Sequence, residues 1–167
     1  MWNEFKLRIG IDAPLATIYK AWSTPGGLES WFLRKALLTP SDQAPSGQPP
    51  HRAPDDPIQP GDHYEWYWHG HPDTVAHKGT ILRANGKDLF QFSFSLDCPV
   101  TVSLYRECDE TIVELRESEF PAGEKAMKHY VEDSKGWIFY LANLKSILEG
   151  GLDLRNRKVE LTNVINS

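Results

Sequence analysis

The chain contains 167 residues, of which 40% are hydrophobic, and its 23 acidic residues outnumber its 18 lysines and arginines. This length suits a single domain with a sizeable core, and the net charge of −5 disfavours a protein held non-specifically by nucleic acid or anionic lipid. The N-terminus lacks the pattern of a signal peptide, and the longest apolar run, Trp137 to Ala142, is too short to span a membrane. We therefore expect a soluble domain with no nucleic-acid and no membrane partner.

The N-terminal part of the chain predicts a strand, two short helices and a second strand. Apolar and polar residues alternate from Phe5 to Ile11, as in a half-buried strand. Pro14 and Pro25 each stand at the start of an apolar pattern with helical spacing, because proline is favoured in the first turn of a helix. The segment from Phe32 to Leu38 then predicts the second strand.

A proline-rich segment, residues 40–60, separates this part from the next strands. It holds seven of the protein's twelve prolines, with serine, glutamine, aspartate and glycine between them. Proline cannot donate a hydrogen bond to a sheet, and the segment offers few apolar anchors. We expect a long, mobile insertion, with a lid over a binding site as the alternative.

The rest of the chain predicts a run of antiparallel strands and one long helix. Five segments have strand composition, namely Tyr64 to His69, Val75 to Ala84, Lys87 to Ser95, Val100 to Glu107 and Thr111 to Ser118. Asn85-Gly86 and Asp109-Glu110 are the expected hairpin turns. An apolar stripe from Tyr130 to Leu148 predicts a long helix that ends at Gly150-Gly151. We expect an α+β domain over residues 1–151, followed by a tail, residues 152–167, in which Lys158 to Ile165 could form a strand.

Two stretches of the sequence resemble a known family. The first runs from Ile11 to Phe32, with an Ala-Pro step, a helix ending in tryptophan, a Thr-Pro step and a second tryptophan; the second combines Thr111 to Phe120 with Gly136 to Gly151. They resemble the START-like, birch-pollen-allergen-like (SRPBCC) superfamily, and within it the domain homologous to the activator of heat-shock protein 90 ATPase. The resemblance implies a helix-grip fold, in which a curved antiparallel sheet of six or seven strands wraps the long C-terminal helix. The proline-rich insertion departs from the short connection usual in that family.

Strand parity predicts an aromatic lining for the space between the sheet and the long helix. Alternate residues of a strand share a face, so the aromatic residues of Tyr64 to Trp68 and of Phe90 to Phe94 point inward together. The candidate ligand-binding residues are Trp31, Tyr64, Trp66, Trp68, Phe92, Phe94, Trp137 and Tyr140. A flat or apolar ligand would suit such a lining, although aromatic stripes at these spacings also occur in an ordinary core.

Polar candidates for chemistry are few. His63, His69 and His71 share the opposite face of their strand, with His77 close behind, and a His-x-His pair can bind zinc. We expect these histidines to be exposed on the outer face instead, and we predict no metal site and no cofactor. On the long helix, His129 and Glu132 could act as acid or base, but a surface position is the simpler expectation.

Three functions are compatible with these features. The first is non-enzymatic binding of a small hydrophobic or aromatic molecule in the internal cavity, with no catalytic residues. The second is an enzyme resembling polyketide cyclases and aromatases, since the superfamily includes them. The third is contact with a chaperone, which the family name suggests but for which the chain has little room; a homodimer is also open. Two cysteines, Cys98 and Cys108, too far apart to pair, indicate reduced thiols and a cytoplasmic protein.

Overall fold

Residues 2–41 and 50–165 are described by a computed structural model of the chain, and they form a seven-stranded sheet and three α-helices. The elements are β1 (Glu4–Ile11), α1 (Leu15–Ser23), α2 (Pro25–Trp31), β2 (Lys35–Thr39), β3 (His63–Tyr67), β4 (Ala76–Ala84), β5 (Leu89–Ser93), β6 (Pro99–Glu107), β7 (Glu110–Ser118) and α3 (Glu124–Leu148). The strand order is β1-β7-β6-β5-β4-β3-β2, and every neighbouring pair is antiparallel. The predicted α+β helix-grip fold, with two short helices after β1 and a long C-terminal helix, is confirmed.

The two short helices begin within one residue of the positions that the prolines predict. Pro14 is the N-cap of α1, in extended conformation and without a side-chain cap. Thr24 caps α2, because its Oγ1 accepts a hydrogen bond of 3.0 Å from the backbone N–H of Gly27, while Pro25 occupies the first helical position. Together the helices carry the chain from β1, at one edge of the sheet, to β2 at the other edge.

The core lies between the inner face of the sheet and the three helices. Trp137, Leu141 and Leu144 are buried on α3, as the helical stripe predicts. Facing them are alternate residues of the strands, all nearly inaccessible: Tyr64, Trp66, Phe90, Phe92, Val102, Val113 and Leu115. The inward parity assigned to β3, β5, β6 and β7 is therefore confirmed.

One of the two hairpin turns lies where the sequence predicts it, and the other is displaced by one residue. Gly86 has a φ of 75°, and the side chain of Asn85 accepts hydrogen bonds from the backbone N–H groups of residues 87 to 89. This turn lies where it was expected. In the β6–β7 hairpin, however, Cys108 and Asp109 are the residues with positive φ, so the prediction of Asp109-Glu110 is wrong by one position.

The described part of the proline-rich segment packs against the helices, so a mobile insertion is the wrong description for residues 50–60. Ile58 is 2% exposed and donates its backbone N–H to the carbonyl of Ser23 at 2.8 Å, while the carbonyl of Pro54 accepts from Gly26 at 2.8 Å. Arg52 forms a salt bridge with the buried carboxylate of Asp62. Residues 42–49 of this prediction lie outside the described ones.

Two predictions concern thiols and membrane spans. Cys98 and Cys108 flank the two ends of β6, and both are free thiols, the first buried and the second exposed. Over residues 2–41 and 50–165, no helix has the length and apolar character needed to cross a bilayer.

Candidate functional site

A cavity of about 390 Å³ opens between α3 and the end of the sheet that carries β3. Aromatic and aliphatic side chains form most of its wall: Phe32, Trp68, Val75, Phe94, Trp137, Tyr140, Val164 and Ile165. The rings are in mutual contact, with centroids 5.3 Å apart for Phe94 and Trp137 and 4.9 Å apart for Phe32 and Tyr140. Four of the eight residues predicted from the sequence, Trp68, Phe94, Trp137 and Tyr140, thus line one space.

The other four predicted residues lie in the core behind that wall. Trp31, Trp66 and Phe92 are wholly buried and Tyr64 is 2% exposed, and none of them lines the cavity. The indole of Trp31 donates to the carbonyl of Ala21 at 2.9 Å, and the ring of Tyr64 stacks on Trp66 at 3.8 Å. Parity predicts which face of a strand points inward, but it does not separate core from cavity lining along that face.

The C-terminal segment, residues 152–165, closes one side of the cavity. Asn163, Val164 and Ile165 line it, together with Trp68 and residues of α3. The segment contains no strand over its described residues, so the strand suggested for Lys158 to Ile165 is wrong. Its anchor is Arg155, whose side chain is 4% exposed and donates to backbone carbonyls at the C-terminal end of α2.

A pair of carboxyl groups lies at the inner wall of the cavity. Asp133 of α3 lines the cavity, and Glu117 of β7 is wholly buried behind it, in hydrogen-bonding contact with Asp133. The indole N–H of Trp137 donates to Glu117 Oε2 at 3.1 Å, and Ser95 bonds to Asp133. No other described group donates to Glu117 Oε1 or Asp133 Oδ2, and a hydrogen bond between two carboxyl groups requires a proton on one of them.

Burial governs the ionisation of this pair. Removal from water, together with the neighbouring Asp133, raises the pKa of Glu117, and the hydrogen bond from Trp137 opposes the rise only partly. Burial also raises the pKa of Asp133, against the hydrogen bonds from Ser95 and Glu117. Because the two carboxyl groups interact directly, they titrate as a pair.

Neither carboxyl residue is among the candidates predicted from the sequence, although the sequence contains a signal for each. Glu117 continues the inward face of β7 after Val113 and Leu115, where an acidic residue is out of place. Asp133 precedes Trp137 by one helical turn, on the stripe that faces the sheet. One acidic residue on the apolar face of a strand and another on the apolar face of a helix together predict a polar pair in the interior. Neither His129 nor Glu132 fits this pattern.

The raised pKa of Glu117 gives a testable dependence of stability on pH. The unfolded chain releases this proton near the ordinary glutamate pKa, whereas the folded chain retains it to higher pH, so Glu117 makes the free energy of unfolding fall as pH rises between the two values. The slope is at most about 1.4 kcal/mol per pH unit. We expect Glu117→Gln to flatten this decline in urea denaturation at pH 5 to 9, and Glu114→Gln, on the outer face of β7, to leave it unchanged.

The histidines divide between the surface and the interior. His63 is exposed on the outer face, as predicted, whereas His71 lines the cavity. The prediction of exposure is wrong for His77, whose ring lies 4.6 Å from that of Phe94 and 6.0 Å from that of Tyr64, so that burial lowers its pKa. In the described part of the chain, no three histidine, cysteine, aspartate or glutamate side chains are grouped so as to hold a metal ion. Of the two helix candidates, Glu132 stands exposed at the cavity rim.

An antiparallel sheet that wraps one long helix and leaves an aromatic cavity beside it defines a helix-grip domain. The sequence model of the family described as "Activator of Hsp90 ATPase homolog 1-like protein" (AHSA1) matches residues 12–149, and the chain belongs to this family. No protein of the curated collection matches the sequence significantly.

Solved structures share the fold at low sequence identity. SSP2350 from Staphylococcus saprophyticus is 16% identical over 93% of this chain and 98% of its own, with a TM-score of 0.67. The Aha1 dimer from Colwellia psychrerythraea is 17% identical over 89% of this chain and 97% of its own, with a TM-score of 0.62. DynU16, from the dynemicin biosynthetic locus, is 16% identical over 90% of this chain and 49% of its own, with a TM-score of 0.64. At these identities the likeness establishes the fold alone.

Proposed function

We propose that this protein binds a small hydrophobic or aromatic molecule in the cavity beside α3. The observation that supports the proposal most directly is the cavity wall, where five aromatic rings meet two aliphatic side chains of the C-terminal segment. Burial of apolar ligand surface in such a space contributes roughly 25 cal/mol per Å² to binding.

Native mass spectrometry of the purified protein tests this proposal first. A co-purifying small molecule, identified after solvent extraction, would give its chemical class. For protein without a bound molecule, titration with a fluorescent naphthyl probe measures the same property. Failure of every apolar probe to bind would contradict the proposal.

Trp68 provides the sharpest mutational test of the cavity. It lines the cavity and is only partly buried, so truncation removes a contact surface without opening a hole in the core. We expect Trp68→Ala to weaken binding of a naphthyl probe by about tenfold, the effect of one lost aromatic contact, as measured by fluorescence titration. Trp2→Ala is the matched control, because Trp2 is also partly buried, against Tyr130, but does not line the cavity. Equal losses in both variants would contradict a specific role for Trp68.

An enzymatic use of the same cavity is the second candidate, and Asp133 is the observation that favours it. A carboxyl group of raised pKa in an apolar space can exchange protons with a bound substrate. DynU16 has the same fold and comes from the dynemicin biosynthetic locus. Polyketide-like aromatic compounds are therefore the first substrates to test. Loss of one water from such a compound, seen by mass spectrometry and abolished by Asp133→Asn, would establish it.

A second copy of the chain is the partner that the comparisons favour, since the Aha1 of Colwellia psychrerythraea is a dimer in solution. Light scattering coupled to gel filtration distinguishes monomer from homodimer. A chaperone contact has no supporting feature among residues 2–41 and 50–165 beyond the family name, and a pull-down with heat-shock protein 90 tests it.

A further inference from the structure

The C-terminal segment is firmly attached to the domain at its start. The side chain of Arg155 is 4% exposed and bonds to three backbone carbonyls at and just after the end of α2. Asn143 of α3 holds the same part of the segment, because its side-chain oxygen accepts a hydrogen bond of 2.8 Å from the backbone N–H of Leu154. A buried guanidinium with several acceptors leaves its site only at a high cost, so residues 153–155 form an anchor.

Beyond this anchor the segment bonds to itself. Arg157 donates to the carboxylate of Asp153, the backbone N–H of Lys158 donates to the side chain of Asn156 at 3.0 Å, and the N–H of Leu161 donates to the carbonyl of Lys158 at 3.2 Å. Both partners of each bond belong to the C-terminal segment. Such bonds maintain the local shape of residues 156–161, but they do not fix these residues to the sheet or to α3.

The far end of the segment lies at the cavity. Asn163 has a φ of 57°, a left-handed conformation that asparagine adopts more readily than most residues, and Val164 and Ile165 follow it in the cavity lining. Val164 remains 37% exposed and Ile165 remains 77% exposed. Burial of these two side chains therefore stabilises this end of the segment only weakly.

We propose that residues 157–165 form a strap that opens to admit a ligand and then closes over it, with Val164 and Ile165 in contact with the ligand. The inference rests on the ligand-binding function proposed above and adds a moving element to it. The hinge is Asn156, which follows the anchor directly and lies against Gly70 of the β3–β4 loop, where a Cβ would be 3.0 Å from its side-chain nitrogen. Another wall of the cavity is α3, which the core holds through its buried side, so the strap is the wall that moves at the lower cost.

A strap and a fixed wall predict different association rates. If the strap must open before a ligand enters, the observed association rate constant is the intrinsic one multiplied by the fraction of molecules that are open. A weaker closed state then gives faster association. If the same residues form a fixed wall, trimming them removes contacts with the ligand and raises only the dissociation rate constant.

Stopped-flow fluorescence with prodan, a neutral fluorescent naphthalene, measures both rate constants. We expect the double variant Val164→Ser/Ile165→Ser to associate with prodan about five- to tenfold faster than the wild type and to release it faster as well. The matched control is Val159→Ser/Leu161→Ser, because these side chains are 50% and 48% exposed on the same segment but do not line the cavity. An unchanged association rate constant in Val164→Ser/Ile165→Ser would overturn the strap and leave the ligand-binding function in place.

Asn163 offers a second test that keeps both contact residues in the chain. Asn163→Val disfavours the left-handed conformation, because valine is β-branched, so the strap should close less well and prodan should associate faster. Asn163→Gly still permits a positive φ and should keep an association rate constant close to that of the wild type. Equal association rate constants in the two variants would contradict the inference.

Hydrogen exchange of the wild type, followed by mass spectrometry, reports closure directly. Saturation with prodan should slow exchange over residues 157–165 by at least about fivefold, since the ligand stabilises the closed strap. Exchange that prodan leaves unchanged in this region would show that the strap does not close over the ligand. If the wild type binds neither prodan nor another apolar probe, the ligand-binding function fails and the strap fails with it.

Discussion

Replacement of Trp66 by alanine is expected to lower the free energy of unfolding by about 3 to 5 kcal/mol, the range for loss of a large buried aromatic side chain. Trp66 is completely buried in β3. Its ring stacks on Tyr64 at 3.8 Å and meets Phe92 at 5.0 Å and Phe32 at 5.4 Å, so truncation removes contacts on several sides. Urea denaturation followed by circular dichroism measures the change.

Two further variants test whether the loss of stability in Trp66→Ala comes from lost packing contacts. The indole N–H of Trp66 has no hydrogen-bond partner among the described residues, so Trp66→Phe removes an unsatisfied donor together with part of the ring and should cost much less. Trp68→Ala, two residues away on the same face, should cost less than Trp66→Ala because Trp68 borders the cavity. A loss below about 1 kcal/mol in Trp66→Ala would show that the core closes around the gap or that Trp66 is not buried.

The difference between Trp66, which lies in the core, and Trp68, which borders the cavity, shows how far the sequence can predict this site. Period-two alternation places Trp66 and Phe92 on the inner face of the sheet, and helical spacing places Trp137 opposite them, all correctly. Whether an inward side chain meets another side chain or empty space depends on distances between elements that are remote in sequence. Phe32 and His71 illustrate the point, because both line the cavity from loops whose course no periodic pattern predicts.

The prediction for the proline-rich segment failed for a related reason. Composition predicts low burial, but within residues 50–60 the side chain of Ile58 is buried, and the backbone groups of Pro54 and Ile58 find partners on the two short helices. These hydrogen bonds use main-chain atoms, which leave no trace in the pattern of side chains. A similar limit applies to the C-terminal segment, whose attachment depends on Arg155 bonding to main-chain carbonyls.

We expect Arg155→Ala to lower the free energy of unfolding by about 1 to 3 kcal/mol, the cost of leaving buried backbone carbonyls without their hydrogen bonds. The guanidinium donates to the carbonyls of Glu29, Ser30 and Leu33 at 2.9 to 3.2 Å, where the end of α2 leaves backbone groups unpaired. It also bonds both carboxylate oxygens of Asp153. Burial alone would raise the pKa of Asp153, but these bonds outweigh it and hold the pKa well below its ordinary value.

Arg157→Ala is the matched control, because Arg157 also bonds Asp153 but its side chain is 60% exposed, and its loss should cost less than about 1 kcal/mol. Arg155→Lys keeps the charge but cannot reach three carbonyls and a carboxylate at once, so most of the loss should remain. Hydrogen exchange should accelerate over residues 153–165 in Arg155→Ala before the sheet is affected. If exchange in this segment stays unchanged, Arg155 does not hold it in place, and the cavity wall formed by Val164 and Ile165 must be held by their own contacts.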